Sequence, residues 1–483
     1  MRSQRLVARL VTCFSALLLL AAAATADTIV LKNGRRIAAL SVTELADKIE
    51  YETASGTLSL PKSIVDHIER GGGPGSYAQA AANLAITAPS LGSMGIASAG
   101  GEVEHGAVHD GMIDRDFIAR LEGEARSGNR ADRESAALAH HVAAQYEMTH
   151  GDMDHALADE RTALNFAPDQ ASLLLNVAYL HLRRSEFKQS LDYLERAKQI
   201  APNNADAAKL AGWAYYGLNK LDQAVAEWKR ALALRADPEV QAALEKAQKD
   251  KTEEESYKEN ESAHFTLRYN GTAEPALARE VLRTLESHYN AIESELSFST
   301  PDSVGVILYT KQAFADITNA PDWVSALNDG RIRVPVQGLT GMTPDLARVL
   351  KHELTHSFVQ QKTHGRAPTW LQEGIAQWME GKRSNMSAVP LLQIYDAKQA
   401  LSLAQLEGSW MQFANNKGSY AYAWSLANVE AIVQTTGMGD IESVLDRIAA
   451  GESAESALRN VIHSDYNDLM QTTAEYLRKT YVH

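Results

Sequence analysis

Residues 349–380 read VLKHELTHSFVQQKTHGRAPTWLQEGIAQWME. Within them, residues 352–356 (HELTH) form an H-E-x-x-H pentapeptide inside an apolar run that predicts a helix. Positions four apart lie on one face of a helix, one turn apart, so His352 and His356 can reach the same metal ion. Glu353 lies about 100° round the helix from His352. That position suits a base that acts on a metal-bound water.

A catalytic zinc site needs a third protein ligand and an open position for water. Residues 362–368 predict a loop, and residues 368–376 (PTWLQEGIA) predict the start of a second helix. A helix–loop–helix hairpin of this length would fold Glu373 back against the two histidines. The alternative is a surface helix in which both histidines are merely polar and Glu353 is solvated.

HELTH followed by W-L-x-E-G-I-A resembles the gluzincin branch of zinc metallopeptidases. The resemblance implies that His352, His356 and Glu373 bind one Zn²⁺ per chain and that Glu353 is the general base. It also implies hydrolysis of peptide bonds in a peptide or protein substrate. Tyr422 begins a Y-x-x-S pattern similar to one in this group, which implies a place beside the oxyanion; packing is the alternative role. A zinc fold used only for binding is a further alternative.

The segments before the motif predict a strand at 264–269, a helix at 276–296 and strands at 304–309 and 330–336. This order is the one that the resemblance implies for a zincin-like α+β domain over residues 262–483. Pro335 suggests a sheet edge. We therefore expect Ile332–Val336 to be an edge strand, and the resemblance implies that this strand pairs with an extended substrate backbone.

Residues 132–250 repeat with a period of 34. Small residues recur at this spacing in three sets: Ala144, Ala178 and Gly212; Ala156, Ser190 and Ala224; Ala163, Ala197 and Ala231. The pattern resembles about three tetratricopeptide repeats (TPR), which predicts an α-helical solenoid. Its concave face could bind a protein partner or could serve only to hold the catalytic domain. The competing function is a catalytically silent TPR adaptor or scaffold.

Residues 1–26 predict a signal peptide, with Arg2, Arg5 and Arg9 before an apolar core and an A-x-A cleavage site at 24–26. An uncleaved anchor is less favoured because the apolar run is short for a membrane span. We therefore expect export to the periplasm or beyond, with no stable membrane insertion after cleavage. Cys13, the single cysteine, lies in this segment, so the mature chain would have no disulfide and no cysteine ligand.

The N-terminal part of the mature chain predicts two further regions. Residues 27–70 contain short alternating runs and an Asn33-Gly34 hairpin signal, which predict a small all-β, SH3-like unit. Residues 71–131 begin with a Gly-, Ala- and Ser-rich stretch that predicts a flexible linker. The fold class is thus multidomain α+β. A net charge of −14, or −17 without the three arginines of the signal, argues against a nucleic-acid partner.

Overall fold

The computed structural model describes residues 27–32, 36–39, 41–45, 48–53, 56–69, 89, 101–270, 275–310, 312–314, 326–336, 339–408, 410 and 417–482. The predicted signal peptide therefore lies outside the described residues. The chain forms two compact units, Met1–Ser76 with Trp410–Tyr422, and Tyr77–Ser409 with Ala423–His483. None of the helices described combines the length and the apolar composition needed to cross a membrane.

The N-terminal unit is built from six short strands: β1 (Asp27–Leu31), β2 (Arg36–Ala39), β3 (Ser41–Glu44), β4 (Lys48–Thr53), β5 (Gly56–Pro61) and β6 (Val65–Glu69). They form two antiparallel three-stranded sheets, ordered β2-β1-β6 and β3-β4-β5. A small core of Ile29, Val42, Ile49 and Val65 lies within the unit. The predicted strand unit is thus present, and its SH3-like character stays a prediction.

The region predicted as a linker contains regular structure from residue 101 onward: α1 (Gly101–Ala107), β7 (Val108–His109), β8 (Met112–Ile113) and α2 (Arg115–Ser127). Asp114 caps α2 by accepting a hydrogen bond from the amide of Phe117. Ile118, Leu121 and Ala125 recur at helical spacing and are buried in a shared core. The linker prediction extended too far because composition was given more weight than this short amphipathic pattern.

The repeat region consists of antiparallel helix pairs: α3 (Arg130–Thr149), α4 (Met153–Phe166), α5 (Ala171–Arg183), α6 (Phe187–Ile200), α7 (Ala205–Gly217) and α8 (Leu221–Leu234), followed by α9 (Pro238–Glu254). The small residues of the 34-residue period are buried where these helices meet. At Gly212 a Cβ would lie 2.3 Å from the indole nitrogen of Trp228, so no larger side chain fits. The helices are TPR-like repeats, as the period predicts.

A five-stranded sheet follows the repeats. Its elements are β9 (Lys258–Glu261), β10 (Phe265–Tyr269), α10 (Pro275–Leu296), β11 (Val304–Tyr309), β12 (Leu327–Asn328) and β13 (Arg331–Pro335). The strand order is β12-β13-β11-β10-β9; β10, β11 and β13 run parallel, and the two outer strands run antiparallel to their neighbours. All six residues of β11 are buried, as expected for a central strand.

The expected edge strand at Ile332–Val336 is not at the edge of the sheet. β12 covers β13, with Leu327 opposite Arg333 and Asn328 opposite Ile332. Gly330 adopts a φ of +96°, which lets the chain reverse between the two strands. Pro335 misled the prediction because a two-residue strand, too short to show an alternating pattern, lies outside β13.

The remaining helices are α11 (Pro344–Lys362), α12 (Thr369–Met379), α13 (Ala388–Asp396), α14 (Lys417–Thr435), α15 (Met438–Ala449), α16 (Ala454–Ile462) and α17 (Tyr466–Tyr481). α11 contacts α10, α12 and α15, so it is surrounded by helices as well as by β12 and β13. Apart from the linker, the predicted limits of the domains stay predictions.

A buried ion network joins α9, at the end of the repeats, to the sheet. It comprises three cations and three carboxylates: Lys246, Arg331, Arg333, Asp250, Glu254 and Asp329. Arg331 donates to both carboxylate oxygens of Glu254, at 2.8 and 2.6 Å. Arg333 donates to Asp250 Oδ2 at 2.8 Å. These six charges balance, as burial of ions requires, and the partly exposed Arg268 joins Glu254 to Glu259 beside them.

Hydrogen bonds from tyrosines complete this buried ion network. Tyr216 of α7 donates to Asp250 at 2.9 Å, and Tyr309 of β11 donates to Glu254 at 2.8 Å. Burial opposes ionisation of Asp250, but the charges of Arg333 and its neighbours outweigh it and hold the pKa of that carboxyl well below its usual range. Asp250 is therefore ionised at neutral pH and compensates the guanidinium groups around it.

We predict that Asp250→Asn lowers the free energy of unfolding by about 3–5 kcal/mol, because it leaves buried guanidinium groups without their counter-charge. Urea denaturation measures the effect. Asp222→Asn, which removes the partner of the exposed Lys251, is the matched control and should change stability little. Equal effects of the two substitutions would contradict the structural role of the network.

Candidate metal centre

Helix α11 presents the H-E-x-x-H pentapeptide. The helix begins at Pro344, a residue suited to a first turn, and the Thr343 hydroxyl accepts a hydrogen bond from the amide of Leu346. Its apolar positions are fully buried and fix the helix in the core: Leu350, Leu354 and Phe358. Because that face is held in the core, His352 and His356 project together from a different face, with ring centroids 4.8 Å apart.

Helix α12 brings Glu373 to the two histidines. The loop before it turns through His364 and Gly365, whose φ angles are 52° and 73°. At Gly374 a Cβ would lie 2.4 Å from the carbonyl oxygen of Ser425, so only glycine lets α12 lie this close to α14. Because α12 and α14 pack this closely, the preceding residue, Glu373, is held in the protein interior, where it is 1% exposed.

The three candidate ligands form a compact triangle. The Nε2 atoms of His352 and His356 are 3.1 Å apart, and Glu373 Oε2 lies 3.6 and 3.7 Å from them. Ligands about 2.0–2.1 Å from a tetrahedral metal are separated by about 3.3–3.4 Å. Glu373 Oε2 is buried and has no hydrogen-bond partner among the described residues. This His-His-Glu group therefore fits a metal ion, which would supply the partner that no hydrogen bond gives the Glu373 oxygen.

The ionisation of the ligands is consistent with a site for a cation. Burial disfavours the charged form of Glu373, but the two histidines outweigh it and lower its pKa. For His352 burial is outweighed by the nearby carboxylates of Glu373 and Glu380, which raise its pKa to about 10. Burial lowers the pKa of His356 to about 4. The ion-free site thus keeps a proton on His352, and a metal would displace it.

Glu380 contacts the ring nitrogen of His352 that faces away from the candidate metal position, and it was not among the predicted site residues. Its Oε1 atom lies 3.2 Å from His352 Nδ1, which leaves Nε2 directed at the candidate metal position. Lys382 contacts Glu380 at 2.8 Å, and Arg348 does so at 3.4 Å. Glu380 comes seven residues after Glu373, two turns along the same helix face, and that spacing is a signal that could have identified it.

Glu353 lies in a cleft of about 480 Å³ beside the ligands. His356 and Glu373 also line this cleft. Burial raises the pKa of Glu353 to about 7, with a smaller opposing effect of His352. A carboxylate with a pKa near neutrality can both accept and release a proton at pH 7.

The short strand β12 forms the adjoining wall of the cleft. Asn328 donates to the backbone carbonyl of Glu353 at 2.8 Å and to the hydroxyl of Ser357 at 2.7 Å. These bonds attach β12 to α11 within one turn of the candidate base. Two-residue strands carry no periodic signal, so the sequence offered no way to identify Asn328.

The structure brings His352, Glu353, His356 and Glu373 together. Tyr422 is half-buried in the first turns of α14, and its ring packs edge-on against Trp410 at 5.0 Å. Residues Trp410–Tyr422 belong to the compact unit that contains the N-terminal strands, whereas the histidines belong to the other unit. A catalytic role for Tyr422 stays a prediction.

Comparison with known proteins connects the site to a family. Residues 319–479 match the model of the Peptidase MA superfamily. This segment contains all four residues that the structure brings together. The chain thus has TPR-like helices followed by a segment that matches the Peptidase MA superfamily.

Two further matches are shorter. The Protein CTR9 homolog of Arabidopsis thaliana is 35% identical over 94 residues, which are 19% of this chain and 9% of that protein. The chain therefore spans less than a tenth of that relative. The solved structure of the Arabidopsis OM64 TPR domain matches with 19% identity and a TM-score of 0.24, covering 24% of this chain and 98% of that one.

We predict that Glu380→Gln weakens metal binding about 10–100-fold, because a neutral amide orients and polarises His352 less well than a carboxylate. Titration with Zn²⁺ against a competing chelator measures the affinity. Glu295→Gln, the same change at an exposed position, is the control. Unchanged affinity in Glu380→Gln would show that Glu380 does not support the site.

Proposed function

We propose that this protein is a zinc-dependent peptidase that hydrolyses peptide bonds, with His352, His356 and Glu373 as zinc ligands and Glu353 as general base. The observation that carries the proposal is the triangle of ligand atoms, completed by a buried Glu373 oxygen that has no hydrogen-bond partner among the described residues. The match to the Peptidase MA superfamily supports the reaction class. Zinc is favoured over other metals because two imidazoles and one carboxylate are a common ligand set of catalytic zinc.

When bound, zinc would supply Lewis-acid chemistry, polarising the scissile carbonyl and lowering the pKa of water. The carboxylate of Glu353 takes a proton from the water that attacks the carbonyl carbon. It then gives that proton to the leaving nitrogen. Its raised pKa suits both steps, and Asn328 fixes the backbone from which this side chain projects.

We also propose that the substrate backbone lies extended along β12, the outermost strand of the sheet beside the cleft. This assignment replaces Ile332–Val336, which β12 covers. Among the described strands β12 is at the end of the sheet, and a strand edge with no strand beside it offers main-chain hydrogen bonds to an extended peptide without regard to its side chains. Three further assignments belong to this proposal. Tyr422 stabilises the oxyanion of the reaction. The concave face of the repeats binds a protein partner, and residues 1–26 direct export of the chain.

We predict about one zinc per chain in protein purified without a metal-affinity tag, and less than a tenth of that in Glu373→Ala, which removes one of three ligands. Inductively coupled plasma mass spectrometry measures the content. Glu295→Ala is the control and should retain the metal. Absence of zinc from the unaltered protein, even after reconstitution, would contradict the proposal and favour the alternative of a catalytically silent TPR adaptor.

We predict that Glu353→Gln retains zinc but loses about 10²–10⁴-fold in turnover of peptide substrates, because the amide cannot accept the proton. Chelation of the unaltered protein should abolish turnover, and added Zn²⁺ should restore it. Cleavage of a fluorogenic peptide library measures both effects, with Glu295→Gln as control. Full activity in Glu353→Gln would refute its assignment as the base.

A further inference from the structure

The cleft beside the metal residues has a second wall that belongs to the TPR-like helices. The turn between α5 and α6, together with α7, contributes these lining residues: Leu182, Arg183, Ser185, Phe187, Trp213 and Tyr216. Phe187 is held over Gly217, where a Cβ would lie 2.5 Å from its ring. The repeats therefore form part of the same cleft as Glu353.

Arg183 differs from the other residues of this wall because it is a cation without a carboxylate partner among the described residues. Its side chain is half-buried, its guanidinium lies 6.0 Å from the centre of the Tyr179 ring, and it donates to the Tyr179 hydroxyl at 3.2 Å. No carboxylate of the described residues lies within 4 Å of it. The neighbouring Arg184, by contrast, pairs with Asp154 and Glu186. Arg183 thus brings an uncompensated positive charge to the cleft of a protein whose net charge is −14.

A second cation near this end of the cleft reinforces the positive field. Arg366 donates to the backbone carbonyls of Ile448 and Gly451, at 3.1 and 2.7 Å, and has no carboxylate within 4 Å among the described residues. Burial lowers the pKa of Arg366; the charge of Asp152 opposes this, and the charge of Arg183 lowers the pKa by a smaller amount. Two guanidinium groups that repel each other favour an anion between or beside them.

Polar atoms without partners lie at the same end of the cleft. His364 Nδ1 and Gln361 Oε1 are buried and make no hydrogen bond to any described residue, and both residues line the cleft. Burial, followed by the charge of Arg184, lowers the pKa of His364 to about 4, so its ring is neutral. Buried polar atoms are rarely left unpaired. Gln361 Oε1 only accepts, so it fits an N–H of a bound peptide, whereas His364 Nδ1 can donate to a carboxylate when it carries the proton of the neutral ring.

The distance from the candidate metal ligand His356 to His364 can be obtained from the length of α11 between them. His356 is six residues before the end of α11 at Lys362, and His364 is the second residue after that end. At about 1.5 Å per helical residue, the separation along the helix is roughly 10 Å. An extended peptide covers that distance in about three residues at about 3.3 Å each.

We propose that Arg183 binds a carboxylate of the peptide substrate about three residues from the scissile bond, so that the TPR-like helices select the substrate inside the catalytic cleft. This inference rests on the proposed peptidase function. The carboxylate belongs to an Asp or Glu side chain or to the C-terminus of the peptide, since both present the same group to a guanidinium.

Binding to Glu353→Gln protein tests the proposal, because binding can be measured there while cleavage is suppressed. Fluorescence anisotropy would be recorded for three labelled peptides of common sequence: one with a free C-terminus and no acidic side chain, one amidated with a single Glu, and one amidated with Gln in its place. We expect Arg183→Gln to raise Kd about 10–100-fold for at least one carboxylate peptide and not for the neutral one. Arg183→Lys should restore part of the affinity.

Arg196→Gln is a matched control, because Arg196 lies 5.8 Å from the centre of the Tyr193 ring but does not line the cleft. Loss confined to the free C-terminus or to the Glu peptide identifies the source of the carboxylate. Equal loss for all three peptides, or no loss in Arg183→Gln, would overturn the proposal. Carboxylate-selective binding without cleavage by the unaltered protein would instead contradict the peptidase function alone.

With active protein, moving the Glu along the peptide should give the fastest cleavage about three residues from the acid.

Discussion

Compensation of buried charge between α9 and β13 is the constraint on which the arrangement of the cleft depends. Arg331 and Arg333 are 1% and 0% exposed, and their carboxylate partners Asp250 and Glu254 come from the last helix of the repeats. Neither α9 nor β13 can move away from the other without leaving ions buried and unpaired. Unpaired buried ions lower the free energy of unfolding by several kcal/mol, about 3–5 kcal/mol for one broken pair. β13 in turn pairs with β12, and β12 is bonded to α11 through Asn328. The position of the repeats relative to Glu353 is therefore set by a continuous series of short polar contacts.

The candidate metal centre depends on a different kind of constraint, which is close packing. α11 is fixed by apolar residues on one face, and α12 approaches α14 closely because residue 374 is a glycine. Packing interactions of this kind have no preference for a metal, so the hairpin can form before any ion binds. Glu380 then restricts the orientation of His352. The ligand geometry is thus largely prepared by the fold, which lowers the entropy lost on metal binding.

Local periodicity explains which features the sequence could predict. The two histidines of H-E-x-x-H lie one turn apart in any helix, and the 34-residue spacing of small residues requires repeated close contacts between helices. Interactions distant in sequence left no such pattern. Asp250 and Arg333 are 83 residues apart and meet only in the folded chain. β12 is too short for a pattern, and the helix at 115–127 follows a Gly- and Ala-rich stretch that dominated the composition. Glu380 was detectable through its seven-residue spacing from Glu373, but identifying it required the course of α12 to be known in advance.

The buried ion network also limits the recombination events by which the repeats and the following domain could be separated in evolution. Repeat arrays usually diversify by gaining, losing or exchanging whole units, because each unit contacts only its neighbours. Here α9 supplies the counter-charges for a strand of the next domain, and α7 contributes Tyr216 to the same cluster. A recombination event between α9 and β9 would separate Lys246, Asp250 and Glu254 from Asp329, Arg331 and Arg333, and each product would have unpaired charges in its core. The repeats and the peptidase MA domain are therefore expected to descend together, with new specificity arising from substitutions in the cleft wall.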